Sequence, residues 1–122
     1  MRREKENLII DLKMDFAVEI VNFTDDLENR KKYDLAGQLF LSGTSIGANA
    51  KETQCAEGRR DFVHKMKIAA REAEETSYWL ELCGRCEGFP TNKELETKVL
   101  VIKKVLSKII TSSKSAHQHI IN

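Results

Sequence analysis

The sequence predicts an all-α protein, an antiparallel up-and-down four-helix bundle that assembles into a homo-oligomer. Apolar residues recur every three or four positions along four long stretches, which is the spacing of amphipathic helices. No stretch alternates convincingly with a period of two, so strands are not expected. The chain has 122 residues and a single proline, Pro90, at the clearest break between stretches. We therefore predict one domain, residues 1–122, with a core that needs neither metal nor disulfide.

The first two helices are separated by a polar connection, ENRKKYD. The first is predicted over about residues 8–28, where the apolar stripe consists of Ile9, Leu12, Phe16, Ile20, Phe23 and Leu27. The second is predicted over about residues 34–55. It contains an uncharged segment from Leu35 to Ala50, in a chain in which 32% of residues are charged.

The third and fourth helices are predicted over about residues 59–86 and 92–115. The third has a stripe spaced by four and three, made of Phe62, Met66, Ala69, Ala73, Thr76, Leu80 and Cys83. The stripe of the fourth is Leu95, Val99, Ile102, Leu106 and Ile109. Gly88 is suited to end the third helix, and Thr91 with Glu94 matches a capping box at the start of the fourth.

Small and hydrogen-bonding residues form one face of the second helix. They are Gln38, Ser42, Ser45, Asn49 and Glu52. We interpret this face as a structural polar seam where helix backbones approach closely, inside the bundle or at a subunit contact, with the Gln38 and Asn49 amides bridging helices. The alternative is a ligand pocket or a serine nucleophile, for which His64 is the one candidate base outside the carboxy-terminal tail. We predict no catalytic residues and no enzyme.

Apolar residues also lie off the core stripes of the second and third helices. The predicted oligomer interface consists of Phe40, Leu41, Ile46, Tyr78 and Trp79. A second buried surface of this kind is typical of subunit packing.

Basic residues form a face on the fourth helix, although the net charge of the chain is only +1. That face consists of Lys93, Lys103, Lys104, Lys108 and Lys114, and Arg59 and Arg60 extend it at the start of the third helix. One interpretation is a solvated surface attracted to the acidic first helix. The other is a nucleic-acid-binding face that contacts phosphates, with salt-sensitive and unselective binding.

The three cysteines include a C-x-x-C pair, Cys83 and Cys86. The pair lies at the predicted carboxy-terminal end of a helix, where the dipole disfavours a thiolate, so redox chemistry is not expected. A zinc site would need His117 and His119 as further ligands, and we predict no metal or cofactor. The amino terminus does not match a signal peptide, and no segment is long and apolar enough for a membrane, so a cytoplasmic location is expected.

Two motifs carry a family resemblance that extends over about residues 8–113. SGTSIGAN, residues 42–49, followed by Glu52, and DFVHKMKIAAREAEETSYWLEL, residues 61–82, resemble the four-helix-bundle family of 23S rRNA intervening-sequence proteins. Accessory proteins of diversity-generating retroelements are similar to this family. The resemblance implies an up-and-down bundle, a homopentamer and no known enzymatic activity.

The resemblance also implies partners, namely RNA, DNA or a nucleic-acid-processing protein. The near-neutral chain departs from the basic retroelement relatives. The preferred hypothesis is a non-enzymatic oligomeric scaffold or adaptor that binds such a partner. The first alternative is a protein–protein interaction module without nucleic-acid binding, which the low net charge favours, and the second is a metal or redox protein.

Overall fold

A computed structural model describes the backbone of residues 2–121 and the side chains of residues 11–114. Over this range the chain is helical and contains no strand. The elements are α1 (Arg2–Asn29), α2 (Tyr33–Glu52), a 3₁₀-helix (Thr53–Cys55), α3 (Arg59–Arg85) and α4 (Lys93–Ile121). No helix in the described range is long and apolar enough to cross a membrane.

The helix ends differ from the sequence expectations at both ends of the chain and at two places within it. α1 begins at Arg2, not at about residue 8, and α4 ends at Ile121, not at about residue 115. The last predicted turn of the second helix is a 3₁₀-helix, so α2 ends at Glu52. At the start of α4 the cap is Asn92 instead of Thr91, because Asn92 Oδ1 accepts a hydrogen bond of 3.0 Å from the Leu95 amide. Asparagine is a preferred N-cap residue, and with Asn92 as the cap the helix begins one residue later than a Thr91 cap would give.

The core stripes of α3 and α4 are those predicted from the sequence, except that Phe62 and Ile109 are only half-buried and pack against the edge of the core. Their buried members are Met66, Ala69, Ala73, Thr76, Leu80, Cys83, Leu95, Val99, Ile102 and Leu106. On α1 the inward position before Phe16 is occupied by Lys13, which is 2% exposed, whereas Leu12 is 38% exposed. Leu12 and Lys13 both lie about one turn before Phe16, and in the structure the position that points into the core is that of Lys13, three residues before Phe16.

Each helix packs against the next one along the chain, and α4 also contacts α1. Two ion pairs between helices lie at these contacts: Lys98 with Glu19 at 2.6 Å and Lys103 with Glu74 at 2.7 Å. The close contact between α1 and α2 depends on Gly43, because a β-carbon there would lie 2.8 Å from Ile20 Cγ2. Four helices around one core fit a bundle.

Candidate interaction surfaces

One hydrogen bond of the predicted polar seam joins two helices. Ser42 is buried on α2, and its Oγ accepts a bond of 3.0 Å from Thr76 Oγ1 on α3. Thr76 Oγ1 also lies 2.7 Å from the Glu72 carbonyl oxygen of its own helix. Buried hydroxyls are thereby paired at the point where α2 and α3 meet.

The remaining seam residues do not bridge helices within the chain. Gln38 and Glu52 are exposed, and Ser45 and Asn49 are half-buried. The Asn49 amide donates to the Ser45 carbonyl of its own helix at 2.8 Å. The expectation of buried, bridging amides at Gln38 and Asn49 is therefore wrong for the single chain, because the inward face of α2 is the neighbouring face, made of Ala36, Leu39, Ser42, Gly43, Ile46 and Ala50.

The predicted oligomer interface divides into exposed and buried residues. Ile46 is fully buried in the core of its own chain, so its assignment to a subunit contact is wrong. It lies seven residues after Leu39 on the same inward face. Phe40, Leu41 and Tyr78 are exposed, by 47%, 65% and 58%.

A further group of exposed apolar side chains lies on α1 and was missed by the sequence analysis. Met14, Val18 and Val21 are spaced by four and three residues, so they share one face of the helix. Gly43 lies against Ile20 and Gly47 lies against Lys13. Phe40 and Leu41 precede Gly43 on α2 by three and two residues, so they lie within one turn of the contact with Ile20. We call Met14, Val18, Val21, Phe40 and Leu41 the α1–α2 apolar surface.

An open groove of about 430 Å³ lies where α2 begins and α3 ends. Its walls are formed by Lys31, Lys32, Tyr33, Asp34, Leu35, Gln38, Trp79, Leu82, Cys86 and Phe89. We call it the α2–α3 groove. Trp79 is half-buried in its wall, donates a hydrogen bond of 3.3 Å to Glu75 and packs edge-on against Tyr78 with ring centroids 5.1 Å apart.

The predicted basic residues differ in their exposure and in whether they form ion pairs. Lys103 is paired with Glu74, and Lys93 lies 3.5 Å from Glu96. Arg59 is half-buried at the start of α3. The exposed members that form no ion pair within the described side chains are Arg60, Lys104, Lys108 and Lys114.

A second basic stripe lies on α3, and the sequence analysis identified only its first member, Arg60. Arg60, His64, Lys67 and Arg71 are exposed and follow one another at intervals of four, three and four. Lys67 lies close to Lys114 on α4, and this neighbouring lysine, together with the positive charge of Arg71, lowers the pKa of Lys67. The spacing was readable in the sequence. We call these four residues and Lys114 the α3–α4 basic stripe.

The cysteines are free thiols in three environments. Cys55 is exposed, Cys86 is half-buried and Cys83 is buried. Burial raises the pKa of Cys83 to about 11, so this thiol is protonated at neutral pH. The described side chains contain no cluster of three His, Cys, Asp or Glu residues suited to a metal. His117 and His119 lie outside the described side chains.

Comparisons with known proteins agree with this fold. A family model for the 23S rRNA-intervening sequence protein matches residues 5–110. A crystal structure of a protein of unknown function from the S23 ribosomal protein family of Bacteroides thetaiotaomicron superposes with a TM-score of 0.82 and 41% identity, over 88% of this chain and 98% of that one. No curated protein matches the chain. The chain belongs to the family of 23S rRNA-intervening sequence proteins.

Proposed function

We propose that the protein is a non-enzymatic, cytoplasmic scaffold that acts by assembly and binding. Its chains form an antiparallel up-and-down bundle and associate into a homo-oligomer, for which the family resemblance suggests five subunits. The polar seam supports a structural role over a reaction centre, because Ser42 is paired with Thr76 and Asn49 with its own helix.

The α1–α2 apolar surface carries the proposal. Its five members are between 38% and 65% exposed, and they lie on two helices that pack against each other. Single exposed apolar residues are ordinary, but several of them on two packed helices are typical of a subunit contact. A second copy of the chain is the occupant that a cyclic assembly supplies, since in a ring each copy sets this surface against a different surface of its neighbour.

Light scattering of the purified protein measures the assembly directly. A pentamer of 13.9 kDa chains has a mass of about 70 kDa. The double variant Phe40→Glu, Leu41→Glu is expected to dissociate the assembly because it places charges in an apolar contact. The matched control is Leu100→Glu, Val101→Glu, which adds the same two charges at an adjacent apolar pair on α4 with exposures of 50% and 48%. A monomeric wild type, or equal dissociation by both variants, contradicts the proposal.

Nucleic-acid binding is the second candidate, and the α3–α4 basic stripe favours it. Lys67 and Arg71 are like charges four residues apart, an arrangement that weakens a helix by about 0.2–0.5 kcal/mol. Helix stability therefore does not explain the stripe. Repetition of the stripe around an oligomer would add phosphate contacts that one chain with a net charge of +1 lacks.

Fluorescence anisotropy with a labelled RNA duplex tests this candidate over a range of salt concentrations. Lys67→Glu with Arg71→Glu is expected to weaken binding at low salt and to reduce the salt dependence of the binding that remains. Lys51→Glu with Lys31→Glu makes the same charge change elsewhere and is expected to have a small effect. If the wild type binds no RNA or DNA at low salt, the protein is an interaction module without nucleic-acid contact.

A further inference from the structure

The α2–α3 groove has the size and lining of a small-molecule site. Its volume of about 430 Å³ lies within the range of about 300–1,000 Å³ that is usual for ligand pockets. Leu35, Trp79, Leu82 and Phe89 supply an apolar lining from α2, α3 and the loop before α4. Such pockets combine an apolar wall with a few polar groups that orient the ligand.

The groove is held open by the fold. Leu35, Trp79 and Phe89 pack against the hydrophobic core, so their positions are fixed from below. The Trp79 ring is held further by its hydrogen bond to Glu75 and by its edge contact with Tyr78. A ligand would therefore enter a preformed site and would not have to order these side chains.

The polar groups of the groove favour a negatively charged ligand. Lys31 and Lys32 line it, and neither forms an ion pair in the part of the chain whose side chains are described. Lys32 Nζ lies 4.5 Å from the centre of the Phe89 ring, so one cation is held beside the apolar wall. Asp34 is the single acidic residue of the lining, and Gln38 adds an amide.

From this combination we propose that the groove binds a small amphipathic anion. Its aromatic or aliphatic body lies against Trp79 and Leu82, and its carboxylate, sulfonate or phosphate group lies near Lys31 and Lys32. The site is complete within one chain. If the protein proves monomeric, the scaffold proposal fails and this one stands. If a second copy covers the groove, this one fails and assembly stands.

Trp79 is the single tryptophan of the chain, so its fluorescence reports on the groove. The probe is 1-anilinonaphthalene-8-sulfonate, and its uncharged analogue N-phenyl-1-naphthylamine is the matched control ligand. We expect saturable binding of one sulfonate per chain with energy transfer from Trp79. Lys31→Glu with Lys32→Glu is expected to weaken the sulfonate at least tenfold and the neutral analogue less than threefold. Lys104→Glu with Lys108→Glu makes the same charge change on α4 and is expected to leave both affinities unchanged.

A second readout uses Cys86, which lines the groove, and Cys55, which does not. Bound sulfonate is expected to slow alkylation of Cys86 and to leave alkylation of Cys55 unchanged. Displacement of the probe by decanoate indicates an aliphatic ligand, and displacement by 2-naphthoate indicates an aromatic one. Displacement by neither, absence of energy transfer from Trp79, or equal weakening by the two double variants would overturn the proposal.

Discussion

The two flanks of α2 hold their neighbouring helices by different means. On the side of α1, Gly43 lets the two helices approach closely, because a side chain there would collide with Ile20. On the side of α3, the hydroxyls of Ser42 and Thr76 form a hydrogen bond inside the core. The same uncharged segment therefore contacts α1 through close steric packing and contacts α3 through a buried hydrogen bond.

The difference affects what each contact tolerates. A contact between glycine and a branched side chain depends on the absence of atoms, so an added methyl group is the sharpest perturbation. A contact between two hydroxyls depends on a partner, so removing one oxygen is the sharpest perturbation. The contact between α1 and α2 also contains Lys13, which is buried beside Gly47. The Nζ atom of Lys13 has no hydrogen-bond partner among the described residues.

The largest expected effect concerns Lys13 and the pH dependence of stability. Burial lowers the pKa of Lys13 from 10.5 to about 8. Between these two values the unfolded chain binds the proton that the folded chain has released, so the free energy of unfolding rises with pH. The rise is about 1 kcal/mol between pH 8 and 9 and about 3 kcal/mol by pH 10.5. Urea unfolding at a series of pH values measures it.

The control for this prediction is Lys13→Met, which fills the same space without a charge. The variant is expected to be more stable than the wild type at pH 7, with the difference shrinking above pH 8. The difference in the free energy of unfolding between the two proteins isolates Lys13, because Cys83 is present in both. The raised pKa of Cys83 acts in the opposite direction in both, removing stability as the pH rises from about 9 to about 11. A difference that is constant with pH would show that Lys13 is solvated in the folded protein.

The next effect tests the shape of the α1 contact. Gly43→Ala is expected to destabilise the protein by about 1–2 kcal/mol, because the clash with Ile20 exceeds the gain in helix propensity. Gly37→Ala is the matched control, since a β-carbon at Gly37 meets no atom within 4 Å. It is expected to stabilise α2 by about 0.5–1 kcal/mol. Thermal and urea unfolding measure the change in stability of each variant. Equal changes in the two variants would mean that α1 shifts to accept the methyl group at residue 43 without a loss of free energy.

The core stripes of α3 and α4 could be predicted because their apolar residues recur along one narrow line. The stripe of α2 could not, because the segment from Leu35 to Ala50 carries small or apolar residues on several faces. The seam of Ser45 and Asn49 and the line of Leu39 and Ile46 were both consistent with helical spacing. The choice depends on how Gly43 and Gly47 fit α1, which is a tertiary contact.

The surfaces were predictable to different degrees for similar reasons. Phe40, Leu41 and Tyr78 were expected to lie off the core, and the structure places them at the surface of the single chain. The α2–α3 groove combines residues from a turn, two helices and a loop, so it could not be predicted from residue spacing along the sequence. The exposed amide of Gln38 belongs to this groove, although the sequence placed it in the seam.

A smaller effect tests the polar contact on the α3 side. Ser42→Ala is expected to cost about 0.5–1.5 kcal/mol through the lost hydrogen bond with Thr76. The cost stays modest because Thr76 keeps its contact with the Glu72 carbonyl, so no donor is left unpaired. Ser45→Ala removes a half-buried hydroxyl one turn away and is expected to change the free energy of unfolding by less than about 0.5 kcal/mol. A larger loss of unfolding free energy from Ser45→Ala than from Ser42→Ala would show that the stabilising polar contact lies on the outer face of α2.

The smallest effect separates the two glycines that face α1. A β-carbon at Gly47 would lie 3.6 Å from Lys13 Cβ and 3.7 Å from its carbonyl oxygen, which is ordinary van der Waals contact. Gly47→Ala is therefore expected to stabilise the protein by about 0.5 kcal/mol through helix propensity, the opposite sign to Gly43→Ala. Urea unfolding at pH 7 measures both. If Gly47→Ala destabilised the chain as much as Gly43→Ala, the whole α1 flank of α2 would require glycine, and the close approach would extend beyond the single contact with Ile20.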